Sequence, residues 1–512
     1  MSRIIRMMKS GLAVFLGLAC LCLLFGCGLS RPAGASSETV GSPAEDVIKV
    51  EMNFYTPGMV PQGIGEPVKV SRELADEWEE LHAGKKIEFR SMTLLTNTEG
   101  EWLKTQLLGG IAPEIVSMNA ESSWPDVGKG WYVALDEYME RPNPYVPGNE
   151  RWIDTFVNRA LVEAKRAPDG KLYCVPVDIV ETGMFYNKTL LREHGFDRMP
   201  DTWAGMLAMF EKLKQAGVTP ISSEESLGMD WGQDIIFEML YHDILPQLDL
   251  LPSAPNAQGY LGHYLEPHEA GFLFTKGFFT RRDPRWRETY RLLREWREGW
   301  AKELKNTDPI RSFMIGRLAI LWTGSWFIRR MATDPYIDFE WGVAYLPRIT
   351  RETSRFASGT PATVIGGAAV QLHITNSAVI NGTVEDCVDF LMYVSAPQNI
   401  EALASEALVF IPNIEGAKVD ERLAPFQDIF QRPYCAVKWL DSLEGEPKKY
   451  FRRMLDYYLN DGVDLDGFLQ MLEACFARWV SGHEGDKAWN FERMERIWQQ
   501  RKTVLLKELV PE

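Results

Sequence analysis

VPVDIVETGMFYNKTLLREHGFDRMPDTWAGMLAMFEKLKQAGVTP runs from Val175 to Pro220 and decides the fold. It reads in three pieces. Val175 to Tyr186 is apolar, with β-branched and aromatic residues, and predicts a strand. Asn187 to His194 predicts a short helical turn that Gly195 can end in the left-handed conformation. Pro200, Asp201 and Thr202 then stop one element and start another. Asp201 or Thr202 can N-cap a helix whose apolar positions are Trp203, Met206, Leu207, Phe210 and Leu213, and Gly217 closes it.

The same alternation extends to the N-terminal side. Val47–Tyr55 predicts a strand, Val68–Leu81 a helix, Ile87–Met92 a strand, Glu99–Leu108 a helix and Pro113–Met118 a third strand. That rhythm gives an α/β lobe with a mainly parallel sheet. Ligands of such sheets sit beyond the carboxyl ends of the strands. Tyr55, Thr56, Asn119, Glu121 and Trp124 are therefore placed to face a cleft. A helix over Trp152–Ala164 leads back to the opening stretch.

On the C-terminal side, Trp231 precedes a predicted helix, Gln233–Tyr241. Asp283–Lys305 predicts a long helix with Trp286, Tyr290, Leu293, Trp296 and Trp300 on one face, a core stripe rather than a binding surface. Leu318–Trp322 predicts a buried strand that delivers Gly324-Ser325-Trp326 to the cleft. Small Gly324 would let the backbone approach a ligand, and Trp326 would offer it a flat face. From Pro433 the chain reads as helical.

The chain has 512 residues and a formal net charge of -16. That length is too great for one ordinary core and calls for at least two lobes. The acidic balance argues against nucleic acid or an anionic surface as main partner. The 7 cysteines contain no CxxC pair, so neither a zinc nor a redox motif follows, and Cys174, Cys387, Cys435 and Cys475 read as buried free thiols.

An apolar strand ending in Tyr186-Asn187-Lys188, a short helix ending in Gly195, then Pro200-x-Thr202-Trp203 resembles the bacterial extracellular solute-binding proteins. These are the sugar-binding receptors of ABC importers, the family to which maltose-binding protein belongs. Phe313, Gly316, Arg317, Ala319 and Gly324-Ser325-Trp326 resemble a second family pattern. Gly110 to Val116 resembles a third, with Glu114 where the family has Asp. The strand Gly342-Val343 to Pro347 and the Gly366-Gly367 strand also match. The resemblance implies a two-lobe, type II periplasmic-binding-protein-like fold. Lobe 1 would comprise residues 47–178 and 373–428, and lobe 2 residues 182–366 and 435–512. The hinge crossings would lie near Asp178–Glu181, Gly367–Leu372 and Phe426–Cys435.

Residues 1–27 carry a basic start and an apolar run, Gly11–Gly26, too short to span a membrane and suited to an export signal. Leu24-Phe25-Gly26-Cys27 resembles the lipobox of bacterial lipoproteins, which implies diacylglycerol on Cys27 and anchorage on the extracytoplasmic face of the cell membrane. Residues 28–46, rich in Gly, Ser, Ala and Pro, form a flexible tether.

No nucleophile elbow, zinc-protease motif, P-loop or dinucleotide fingerprint is present. Asp464, Asp466, Gly467 and Glu473 only partly fit a calcium loop, and a helix cap is the better reading. No metal and no cofactor are expected. The resemblance implies a monomer that binds a carbohydrate and presents it to permease subunits. Trp326, Trp231 and Trp124 would stack on the sugar, and Asn119, Glu121 and Asp178 would bond its hydroxyls, with Tyr55 nearby. Two alternatives stay open. One is another polar solute: a peptide, polyamine or glycerol-phosphate. The other is a two-domain glycoside hydrolase using Asp178, Glu181 or Glu121, since such enzymes need two carboxylates across a cleft.

Overall fold

The structure is a computed structural model. It describes residues 46–51, 69–89, 99–223, 227–251, 265–300, 308–361, 366–431, 439, 443, 445–483, 489 and 491–509. The proposed signal, tether, Cys27 and Tyr55 lie outside the described residues. Glu45–Glu512 forms one compact unit, apart from Met1–Ala44.

Two sheets organise that unit. The first has the order β2-β1-β3-β10-β4, built from β1 (Asp46–Glu51), β2 (Lys85–Phe89), β3 (Ile115–Ser117), β4 (Val175–Pro176) and β10 (Gln371–Ile374). β1 runs parallel to β2 and β3, and β10 runs antiparallel to β3 and β4. Helices α1 (Lys69–Leu81) and α2 (Glu99–Gly109) are the crossovers. Parallel neighbours need such crossovers, which is why the helix and strand patterns alternate here.

The second sheet is built on β5 (Asp178–Asn187). Its main path is β11-β5-β7-β6, with β6 Thr219–Ser223, β7 Leu318–Gly324 and β11 Ile411–Pro412. β8 (Trp341–Ala344) and β9 (Gly366–Gly367) also pair with β5. Every residue of β7 is buried, so its sequence shows no alternation.

The caps fall where the sequence placed them. Asn187 accepts from Leu190 N at 2.8 Å and starts the helix Lys188–Glu193. Gly195 is left-handed at φ 82°. Thr202 accepts from Gly205 N at 3.2 Å and opens α3 (Trp203–Gln215). Asp464 accepts from Gly467 N at 2.8 Å, so the partial calcium pattern is a helix start.

The second sheet carries the aromatic core. α4 (Leu227–Tyr241) packs on α5 (Pro284–Glu298), and Trp203, Trp286, Trp296, Trp322 and Trp439 are buried among them. α5 supplies the predicted stripe as core as far as Trp296; the helix ends at Glu298, short of the expected Lys305, and Trp300 beyond it bridges Ile221. Trp231 lies inside α4, not before it, because the helix begins a turn earlier than its apolar pattern.

One expectation gives way. Trp152–Ala164 is not one helix but a 3-10 turn at Trp152–Thr155 and a short helix at Arg159–Glu163. Asn413 interrupts it: Val157 N donates to its carbonyl at 3.1 Å and Asn158 N to its Oδ1 at 2.9 Å, holding the chain extended between the two. The expected third crossing, Phe426–Cys435, is described only as far as Gln431, and Ile414 and Ala417 still pack on the first core. Ile411 and Pro412 already pair with Ile179 and Asp178, and Leu423 and Phe426 pack with Phe185 and Leu321 of the second sheet. A two-residue strand leaves no periodic signal to read.

Candidate functional site

The strand β5 is where the two sheets meet. Chain leaves β4, passes Val177 and enters β5. The first four residues of β5 pair with two short strands: Asp178 and Ile179 with β11, Val180 and Glu181 with β9. Gly366 is required there, because a Cβ would stand 2.0 Å from the Val180 carbonyl oxygen.

Two buried carboxylates mark this crossing. Asp178 Oδ1 accepts from Val370 N at 2.8 Å, fastening β5 to the segment between β9 and β10. Its Oδ2 is buried without a partner. Burial pushes the Asp178 carboxyl up to about 8, against the pull of backbone N–H groups and Lys165. Glu181 Oε1 accepts from the Tyr345 hydroxyl at 2.8 Å. Both residues are fully buried, so in this conformation Asp178 bonds the backbone of the crossing rather than facing a solute.

The Gly-Ser-Trp loop follows β7. Ser325 Oγ donates to Val409 O at 2.8 Å. Arg329 N donates to Leu408 O at 3.1 Å, and its Nη1 to Glu406 O at 3.0 Å. These bonds tie the loop to the C-terminal end of the helix Pro397–Ala407, whose side chains belong to the first core. A Cβ on Gly324 would stand 2.1 Å from the Trp326 ring. Gly324 therefore makes room for the chain's own indole, where the sequence suggested room for a ligand.

Trp326 and Trp231 meet edge to face, with centroids 6.1 Å apart and an interplanar angle of 72°. Both are partly buried. Trp326 packs against the core of the first sheet and Trp231 against that of the second. The pair thus spans the two cores and leaves part of each indole uncovered, which suits a flat, partly apolar ligand.

The remaining expected residues gather at the carboxyl end of β3. Asn119 is exposed at the N-cap position of the turn Ala120–Ser123, and its Oδ1 accepts from Gln371 Nε2 at 3.2 Å. Glu121 is exposed and ion-paired with Lys165 at 2.6 Å. Trp124 packs partly buried in a satellite cluster with Leu107 and Tyr132, and its Nε1 is buried without a partner.

A family model described as "Bacterial extracellular solute-binding protein" matches residues 73–425. The chain belongs to this family. Solute binding is thus its role, on a fold of two α/β lobes, and the family is one of binding proteins. Two curated relatives are similar over part of the chain. A "Multiple sugar-binding protein" of Streptococcus mutans is 24% identical over 123 residues, 24% of this chain and 26% of its own. A "Probable sugar-binding periplasmic protein" of Rhizobium meliloti is 30% identical over 159 residues, 30% of this chain and 35% of its own. The aligned part thus spans about a quarter to a third of the length of either relative. The solved structure of apo RafE from Streptococcus pneumoniae shares the fold at a TM-score of 0.59 and 17% identity, covering 86% of this chain and 99% of that one.

In this solute-binding protein, sequence reasoning missed three residues of the site. Gln371, buried in β10, accepts from Ala120 N at 2.9 Å and donates to Ala368 O at 2.7 Å, setting the loop that presents Asn119. Lys165 is mostly covered beside Glu121. Tyr345 holds Glu181. A lone Gln inside the apolar run VIGGAAVQLH was the available signal for Gln371; the other two had none.

The second-sheet half of the solute-binding protein also carries surface grooves of about 790 and 690 Å³. The larger is lined by Arg291, Arg294, Glu295 and Asp461, which pair with one another or with Glu288. Neither groove contains an expected site residue. Among the described residues no group of three His, Cys, Asp or Glu could hold a metal, and no helix is long and apolar enough to cross a membrane.

Proposed function

We propose that this solute-binding protein captures a sugar or oligosaccharide and presents it to the permease subunits of an ABC importer. The Trp231–Trp326 pair carries the reading. Two partly exposed indoles, one seated on each core, offer apolar faces to a pyranose ring. Asn119 and Glu121 supply polar edges for hydroxyls, and Trp124 flanks them. The lobes divide at the crossings of β5, with 47–177, 371–410 and 413–417 on one side and 178–367 and 423–509 on the other. Ligand closes the lobes only to the extent that it binds the closed form more tightly than the open one. The mature chain is a monomer held on the extracytoplasmic membrane face by diacylglycerol on Cys27.

A thermal-shift screen of residues 28–512 against mono- and oligosaccharides tests this, since a ligand of the native state raises Tm by mass action. A selective shift, lost in Trp326→Ala, is the expected result. A shift with a peptide or polyamine and none with any sugar overturns the substrate class. Release of reducing ends from a bound oligosaccharide, lost in Asp178→Asn, would overturn the binding-only reading.

A further inference from the structure

Of the eleven large hydrophobic side chains exposed among the described residues, five lie at one end of the first sheet. Leu81, Leu108, Ile111, Val379 and Ile380 are between 60% and 77% exposed. Single exposed aliphatics are ordinary, and it is their grouping that needs a cause.

The register brings them together. Asp46, the first residue of β1, pairs with Lys85, the first of β2, and Leu81 ends the helix just before that turn. Leu108 and Ile111 precede β3, which begins at Ile115 opposite Ile374, the last residue of β10. Val379 and Ile380 lie on the helix Asn376–Asn381 that follows β10. Ile380 lies over Gly110, where an added Cβ would stand 2.5 Å from its Cδ1. From β2 to β10 the rim crosses three strand spacings, about 15 Å. Two of the cations beside it are paired: Lys85 with Asp386 at 2.8 Å and Arg141 with Glu385 at 2.7 Å.

We propose that this end of the first sheet rests on the membrane surface, its five aliphatic side chains entering the boundary between headgroups and acyl chains. The position of the tether supports a lipid occupant. Chain enters β1 at Asp46, at this same end, and Cys27 lies 19 residues upstream; a random coil of that length spans about 25 Å. The chemistry of the rim supports it too. Protein-binding hot spots favour Trp, Tyr and Arg, and this rim is Leu, Ile and Val. Its area, on the order of 500 Å², is below the ~800 Å² per partner of a stable interface. The ligand cleft opens at the opposite end of the strands, so the resting receptor holds its cleft away from the lipid and lifts off to meet a permease. The high local concentration of lipid rests on the Cys27 reading; the contact itself does not.

Residues 28–512, which carry no acyl chain, are mixed with zwitterionic vesicles of phosphatidylcholine and phosphatidylethanolamine, so that the net charge of -16 does not oppose the contact, and floated on a density gradient. The expected partition constant is on the order of 10³ M⁻¹, about a tenth of that of one myristoyl chain. It falls at least fivefold in Leu108→Ser/Ile111→Ser/Ile380→Ser, a variant of exposed positions checked for unchanged Tm. No flotation of the parent at ~10 mM lipid overturns the proposal, as does flotation that the variant retains. Concentration-dependent dimers without vesicles, lost in the variant, would assign the rim to a second copy instead. Membrane release of Cys27→Ala in cells tests the anchor separately, so the two readings fail independently.

Discussion

The two halves of β5 make different structures from one continuous strand. Thr182 to Asn187 pairs with β7 over five residues on one side and with β8 over four on the other. Asp178 to Glu181 has only two-residue partners, β11 and β9, and carries two buried carboxylates. The first arrangement is a sheet interior. The second is a crossing held by few hydrogen bonds, with a charge-bearing group that gains from solvent. Bending is cheapest where ladders are short, so these four residues are where the proposed hinge would fall.

Phe185→Ala should have the largest effect, about 3–5 kcal/mol of stability, because its ring is fully buried against Phe327 and Phe426. Denaturant unfolding measures it. Gly366→Val should cost about 2 kcal/mol by pushing β9 off Val180, with a larger proportional loss of ligand affinity than Phe185→Ala shows. If both variants lose stability and affinity in the same ratio, the halves of β5 are equivalent and the contrast fails.

Asp178 sharpens the contrast through pH. Its carboxyl titrates near 8 when folded, against about 3.9 unfolded. Between those values the native state keeps a proton that the unfolded chain gives up. The stabilisation is complete below about pH 4 and is lost as pH rises through 8. Asp178→Asn should therefore flatten the fall in Tm between pH 5 and pH 8. An unchanged slope would show that the crossing carries no such proton. Asn187→Ala, at the end of the well-paired half, should cost about 1 kcal/mol through its lost cap. Glu121→Gln breaks an exposed pair with Lys165 and should change stability by less than about 0.5 kcal/mol.

The long periodic elements were legible in the sequence. The capped helix after Pro200, the apolar run of β7 and the aromatic stripe of α5 each repeat a signal often enough to be read. Gly366–Gly367 was legible only through the family resemblance, and Ile411–Pro412 was not legible at all, since each is two residues long and owes its place to distant partners. For the site, Trp231 and Trp326 could be singled out, but their contact joins α4 to the loop after β7 and depends on packing of the second core. The role of Gly324 was misassigned for a similar reason: nothing in Gly-Ser-Trp says that the Trp folds back over the Gly. Asp178 was read as facing a solute because a carboxylate in a β-strand looks accessible until its neighbours are known.

The family model ends at residue 425, yet the aromatic core does not. Trp439 stands 4.8 Å from Trp286, Phe468 4.8 Å from Tyr290, and Phe476 5.8 Å from Phe274, ring centre to ring centre. These partners come from the helices Leu465–Gly482 and its surroundings, beyond the shared segment. A fragment cut at residue 425 would expose the faces of Trp286 and Tyr290 and present an aggregation surface in place of a lobe. The end of the family match and the end of the folding unit are different residues, and expression or truncation work should follow the second.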